Sequence, residues 1–372
     1  MNDKRIWLSS PHMSDEGFEK KYIHEAFDTN WIAPLGNNVN EFEHEVSKYI
    51  GINDGVALSS GTAAIHLALK AAGVEKDDIV ICQSLTFSAT ANPIIYEGAI
   101  PVFVDSELET WNMDPEYLKE TLKKYPQAKA VLIVHLYGMP ANIEKITAIC
   151  DEYNVPLIED AAESLGSTYK GKHTGTFGKY GILSFNGNKI ITTSGGGMLL
   201  SDDIERLKKV RFWATQSKDI ARHYQHSELG YNYRMSNILA GIGRGQLKIL
   251  NQRIGEKRKI YNFYKKSLDD VPGIRFVPEK KGVRSNFWLT VISLDTIQPA
   301  HLMDALEAEG IESRPVWKPM HLQPFFRKYD YIGGENAQSL FETGMCLPSD
   351  TKMTEEDLEQ VSTIVRQVLI NE

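Results

Sequence analysis

Between about residue 55 and residue 215 the sequence repeats one unit: a short apolar run, a polar or glycine-containing break, then a segment of helical spacing. Strands are expected at Ile79–Cys82, Pro101–Val104 and Ala130–His135, and in the run that ends at Asp160. Helices are expected at Ala63–Ala72, Ser88–Tyr96, Pro115–Tyr125 and Ile143–Tyr153. Strands joined by crossover helices restrict the chain to a mostly parallel sheet covered on both faces. The run Ala130–His135 is apolar almost throughout instead of alternating, as a strand buried on both sides must be.

The flanks extend this core. Helical spacing covers Glu16–Asn30 and Asn40–Ile50 before the repeats, and Met235–Leu250 after them. Within the last, Ala240, Gly241, Gly243 and Gly245 permit close approach of another backbone. Beyond a boundary placed near residue 250, a smaller α/β unit is expected, closed by a helix with the stripe Leu358, Val361, Ile364, Val365 and Val368. The expected architecture is a large three-layer α/β/α domain over residues 1–250 and a smaller C-terminal α/β domain over 251–372.

Composition narrows the function classes. A net charge of -8 argues against a broad basic surface for nucleic acid, though local cations can still bind an anionic substrate. Cys82, Cys150 and Cys346 form neither a disulfide framework nor metal-ligand spacing, so no metal is expected. With no signal-like or membrane-length apolar run, a cytoplasmic protein without membrane insertion is expected. Dinucleotide binding is disfavoured, because the turn after Ser59 lacks the GxGxxG pattern.

The chemistry concentrates between Val155 and Leu200. Apolar runs end at Glu159-Asp160 and at Ser184-Phe185, and Lys189 follows beside a Thr/Ser/Gly-rich segment. Polar groups at strand ends are what an open parallel sheet offers a ligand. A carboxylate for a protonated ring nitrogen, a hydroxyl for a phosphate and an amine for an aldehyde together point to pyridoxal phosphate on Lys189. Taken singly, the lysine reads as a solvated charge and the aspartate as a turn or cap. Upstream, Ser59-Ser60-Gly61-Thr62 opens an alanine-rich helix whose free N–H groups suit a phosphate, or which is merely serine-capped. By periodicity Phe87 reads as core, while His135 and Tyr137 either line the pocket or, for His135, belong to the core.

SSGTAAIHLAL (Ser59–Leu69), LTFSATAN (Leu85–Asn92), IEDAAESLGS (Ile158–Ser167), SFNGNKIITTSGGG (Ser184–Gly197) and GYNYRMSNILAGIG (Gly230–Gly243) occur in this order. In them the chain resembles the fold-type I, pyridoxal-phosphate-dependent nucleotide-sugar aminotransferases. It most resembles bacterial enzymes that make 4-amino-6-deoxy-N-acetylhexosamines for exopolysaccharides or glycans. The resemblance implies Lys189 as the catalytic residue. It implies cofactor contacts from Gly61, Thr62, Phe87 (stacking), Asp160, Ser184 and, from the partner of a homodimer, Asn232. Glu163 stands where the family often has glutamine or histidine near the cofactor's phenolic oxygen. Substrate contacts are implied for Trp31, His135, Tyr137, Arg314, Lys318 and His321. The implied reaction moves an amino group from L-glutamate to C4 of a UDP-linked 4-keto-6-deoxy-N-acetylhexosamine. Alternatives are 3-amination, sugar dehydration, or a catalytically silent protein that binds pyridoxal phosphate.

Overall fold

Short apolar runs that alternate with amphipathic segments leave two faces of a sheet to be covered, and the chain covers both. The computed structural model describes residues 5–370; the first four and last two, placed by sequence at the ends of the two domains, lie outside it. Helices α1 (Phe18–Asp28) and α2 (Asn37–Ile50) come first. The alternating unit follows: β1 (Asp54–Leu58), α3 (Gly61–Ala71), β2 (Ile79–Gln83), α4 (Ser88–Tyr96), β3 (Ile100–Val104), α5 (Pro115–Lys124), β4 (Ala130–Val134), α6 (Ile143–Glu152) and β5 (Leu157–Asp160). A hairpin of β6 (Thr168–Tyr169) and β7 (Lys172–His173) precedes β8 (Tyr180–Ser184), β9 (Gly197–Ser201) and α7 (Ile204–Ala214). Helices α8 (Asn237–Lys248) and α9 (Leu250–Leu268) lead on to β10 (Ile274–Phe276), β11 (Val283–Arg284), β12 (Thr290–Leu294), α10 (Pro299–Ala308), β13 (Arg314–Pro315) and β14 (Tyr331–Ile332). The described chain ends with α11 (Asn336–Thr343), β15 (Gly344–Leu347) and α12 (Glu355–Ile370).

The large sheet has the order β1-β9-β8-β5-β4-β2-β3-β14. From β8 to β14 every pairing is parallel, whereas β9 runs antiparallel to both β8 and β1. The parallel pair β5 and β8 is joined through the β6–β7 hairpin instead of a helix, and β8 runs on to β9 without one, as an antiparallel pair can. Along β4, Ala130 and Leu132 pack with α3, α4 and α7, while Val131 and Ile133 pack with α5 and α6. Both faces of that strand are covered, which explains its uninterrupted apolar run.

The smaller C-terminal domain is built on the sheet β10-β12-β15-β13. Its core joins Ile292, Leu294, Met345 and Leu347 to Leu302 and Leu306 of α10 and to Val361 and Val365 of α12. Helix α9 belongs to both parts: Leu250 and Ile254 sit in the core beneath the large sheet, and Ile260, Tyr264 and Leu268 in the smaller one. Two segments cross the other way. The backbone of Ile6 bridges to Ile311, and β14 completes the large sheet beside β3.

Helix α8 packs on α1 and α2 through its glycines. A methyl added at Gly245 would stand 2.5 Å from the Glu19 nitrogen and 2.6 Å from its Cα, so no side-chain rotation relieves it. Gly255 on α9 has nothing within 4 Å of the same position. Alanine is favoured over glycine inside a helix by about 1 kcal/mol. Gly255→Ala should therefore raise the unfolding free energy by about 0.5–1 kcal/mol, and Gly245→Ala should lower it by about 2 kcal/mol through overpacking. Urea midpoints of the two variants check the opposite signs.

Candidate active site

Strands β4 and β5 end side by side, Asp160 lying opposite Val134 and Ile182 in register, and β8 runs on to Ser184. Their common edge opens into a cavity of about 320 Å³. Asp160 is 5% exposed within it. Its Oδ2 accepts from Thr90 Oγ1 at 2.7 Å and its Oδ1 from the Ala162 N–H at 3.1 Å, and Thr86 Oγ1 stands 2.8 Å behind Thr90. Burial pushes the carboxyl above its usual range, against the Thr90 and Ala162 hydrogen bonds and the charge of Lys189.

Lys189 sits in the turn after β8, its N–H donating to the Asn186 carbonyl at 3.0 Å. Its amine lies 3.7 Å from Glu163 Oε1 and 4.1 Å from the centre of the Trp288 ring. Glu163 is buried and its Oε2 accepts from the Tyr137 N–H at 2.7 Å; burial raises its pKa while Lys189 opposes the rise. Across the cavity, Ser60 caps α3 by accepting from the Ala63 N–H at 3.0 Å. The Gly61 and Thr62 N–H groups, in the first turn, have no acceptor within the helix. Glycine is needed twice there. A methyl on Gly61 would stand 3.2 Å from Ser184 Cβ, and one on Gly197 2.4 Å from the Ser60 carbonyl. The close approach brings the helix terminus beside the Ser184 hydroxyl, a pairing suited to an anion.

Residues 13–366 match the DegT/DnrJ/EryC1/StrS aminotransferase family. The chain belongs to that family. EpsN of Bacillus subtilis (strain 168), a pyridoxal phosphate-dependent aminotransferase by name, is 51% identical over 97% of this chain and 95% of its own. A Caulobacter vibrioides GDP-perosamine synthase is 36% identical over 98% and 99%. The crystal structure of the aminotransferase TlmJ from Streptoalloteichus hindustanus superposes with a TM-score of 0.93 at 28% identity, over 98% of this chain and 99% of that one.

The aminotransferase takes pyridoxal phosphate, and its own residues fit the group: an N-terminal helix cradle for the phosphate, a buried carboxylate for the ring nitrogen and a lysine for the aldehyde. Gly61, Thr62, Phe87, Asp160, Glu163, Ser184 and Lys189 all line the one cavity. Phe87 is 50% exposed, its ring 5.1 Å from that of Trp317, so the core reading drawn from its periodicity does not hold.

The residues assigned to substrate fare differently, and none of them lines this cavity. His135 is wholly buried, with Nε2 2.8 Å from Glu159 and Nδ1 accepting from the Ala141 N–H; it is a core histidine. Tyr137 lies behind the cavity wall, stacked between Trp288 and Trp317, its hydroxyl accepting from the Trp317 N–H at 2.9 Å. Arg314 points outward onto Glu312 at 2.7 Å. His321 is held by Ser84 at 2.7 Å and stacks on Tyr331. Lys318 is half-buried beyond Trp317, its carbonyl accepting from Gln323. Trp31 borders a separate groove with Thr29 and Asn37, and Asn232 is exposed outside the cavity. In their place the wall is made by Thr86, Thr90, Asn186, Asn188, Trp288 and Trp317. Thr86 and Thr90 lie within LTFSATAN and Asn186 and Asn188 within SFNGNKIITTSGGG, whereas no motif pointed to the two tryptophans, which arrive from the distant C-terminal segment.

Since the Thr90 hydroxyl holds the Asp160 pKa down, Thr90→Val should raise it further. Asp160 is useful to a protonated ring nitrogen only when ionised, so affinity for the cofactor should fall about tenfold, the worth of one charge-assisted hydrogen bond. The loss should set in at higher pH than in the wild type. Spectroscopic titration with pyridoxal phosphate between about pH 5 and 8 measures both effects.

Proposed function

We propose that this aminotransferase transfers the amino group of L-glutamate to C4 of a UDP-linked 4-keto-6-deoxy-N-acetylhexosamine, in the cytoplasm, for exopolysaccharide or glycan precursors. The observation that carries this reading is Lys189: among the described residues it is the one cationic side chain lining the cavity that Asp160 and Trp317 also line, its amine beside Glu163 and the Trp288 ring. Membership of the family brings nucleotide sugars as the substrate class.

Pyridoxal phosphate supplies an aldehyde that bonds to amines and a ring that takes up the electrons a departing proton leaves behind. The protein supplies the rest. Asp160 holds positive charge at the ring nitrogen, and the α3 terminus with Ser184 anchors the phosphate. Lys189 Nζ, once free, takes a proton from the amino donor and returns one to the sugar carbon being aminated; an arginine, always charged, cannot do both. Phe87, Trp288 and Trp317 give the cavity apolar walls that exclude water. Lys189 also disfavours the dehydration alternative, which does without a lysine that bonds to the cofactor.

Two finer points belong to the same proposal. Asn232 lies in a segment whose Tyr233 carbonyl accepts from the Ser59 N–H at 2.7 Å, at the edge of the phosphate cradle. Exposed there, it serves the cradle of a second subunit in a homodimer. A GDP-linked 4-keto sugar is the second reading for the acceptor, favoured by the 36% identical GDP-perosamine synthase.

The test incubates the purified protein and pyridoxal phosphate with glutamate and a panel of UDP- and GDP-linked 3-keto and 4-keto sugars, with products identified by mass and NMR. Amination at C4 with one equivalent of 2-oxoglutarate is expected, and Lys189→Ala should reduce turnover by about 10³-fold or more. Product aminated at C3, or no aminated sugar from any acceptor, defeats the reading.

A further inference from the structure

Lys257 on α9 is a buried amine that the proposed chemistry leaves unused. It is 2% exposed and sits where α9, the N-terminal strap around Ser9 and the turn after β15 meet. Its amine donates to Ser9 Oγ at 3.0 Å and to the Ser349 carbonyl at 2.5 Å. Ser349 is itself fixed, its N–H on the Leu8 carbonyl and its hydroxyl accepting from the Thr290 N–H. Ser9 passes the connection on, donating to the Asn188 carbonyl at 3.0 Å. That carbonyl also accepts from Trp288 Nε1 at 2.7 Å. Asn188 precedes Lys189 in the chain, and the Trp288 ring is the surface on which the Lys189 amine rests. A single hydrogen-bonded path thus runs from Lys257 to both the backbone root and the resting place of the Lys189 side chain.

The donor count fits this path. A neutral amine has two N–H groups for the two acceptors, whereas an ammonium has a third. Burial pushes Lys257 down to about 7, against Asp350 and Glu256, which raise it. The other charged groups at this junction are engaged elsewhere. Asp350 accepts from the Ser10 and Lys352 N–H groups, Arg253 pairs with Glu256 and donates to the His12 carbonyl, and the His12 ring meets Thr351.

We propose that Lys257 is a positioning residue for the reaction: through Ser9 it fixes the Asn188 carbonyl and the Trp288 ring, and so sets the pose in which the Lys189 amine meets the cofactor. This rests on Lys189 as the cofactor lysine and not on the identity of the sugar.

The test follows the holoenzyme by absorbance, titrating the band of Lys189-bound pyridoxal phosphate against pH and timing capture of added cofactor by the stripped protein. Lys257→Met and Ser9→Ala should each move the titration midpoint by about half a pH unit or more and slow capture several-fold. The double variant should show no more than the larger single effect, because groups acting along one path are not additive. A merely structural lysine would lower the melting temperature and leave the midpoint in place. Ser9 is half-buried and its change to alanine removes one hydroxyl, so Ser9→Ala decides the matter even if Lys257→Met does not fold. Wild-type midpoint and capture in Ser9→Ala, or additive shifts in the double variant, overturn the proposal. Failure to aminate any keto sugar while these shifts persist overturns only the substrate reading.

Discussion

Two adjacent carboxylates end β5, and both are buried. A buried charge is tolerable only with partners, and neighbouring residues of a strand point to opposite faces. Glu159 is satisfied from within: it accepts from the Gly175, Phe177 and Gly178 N–H groups at 2.9, 2.6 and 2.6 Å and pairs with His135 at 2.8 Å. Those bonds fold the turn that launches β8, and therefore the strand that delivers Ser184 and Lys189. Among the described residues the Asp160 carboxylate accepts hydrogen bonds only from Thr90 and the Ala162 N–H, which leaves it available to a cationic ring. One carboxylate builds the scaffold, and the other serves the site.

The second half of the site depends on how the C-terminal segment is laid against the sheet. Trp288 and Trp317 flank Tyr137, with interplanar angles of 17° and 16°. Tyr137 adopts a left-handed backbone (φ 52°), a conformation that costs energy in a residue with a side chain. Its N–H holds Glu163 and its hydroxyl holds the Trp317 N–H, so the strained residue aligns a carboxylate and an aromatic wall together. The large-sheet edge supplies charge, and Trp288 and Trp317 join Phe87 in the dry wall. Helix α9, packed into both cores, keeps the two in register.

Much of the fold was legible because its information is periodic. Ser88–Tyr96 forms a helix over the expected residues, Ile79–Cys82 and Pro101–Val104 extend by one residue each, and the apolar Ala130–His135 run becomes a central strand that stops one residue earlier. The glycines of α8 were legible as close-approach points, and Gly243 and Gly245 meet Phe42 and the backbone at Glu19. Of the residues expected at the site, Gly61, Thr62, Phe87, Asp160 and Ser184 reach the cavity from strand ends and helix starts. His135 directly follows the end of β4, yet its ring is claimed by Glu159, a partner that proximity in sequence cannot reveal.

By itself, then, the sequence determined the order of strands and helices, the polar edge at which they terminate, and the lysine, aspartate and glycine-rich turn placed there, because each is a property of local spacing. Only tertiary structure decided which side chains look into the cavity. Arg314, Lys318 and His321 turn away, while Trp288 and Trp317 turn in. The reason is physical: His321 is held by Ser84 and Trp317 by Tyr137, partners over a hundred residues distant, and no local periodicity encodes those contacts.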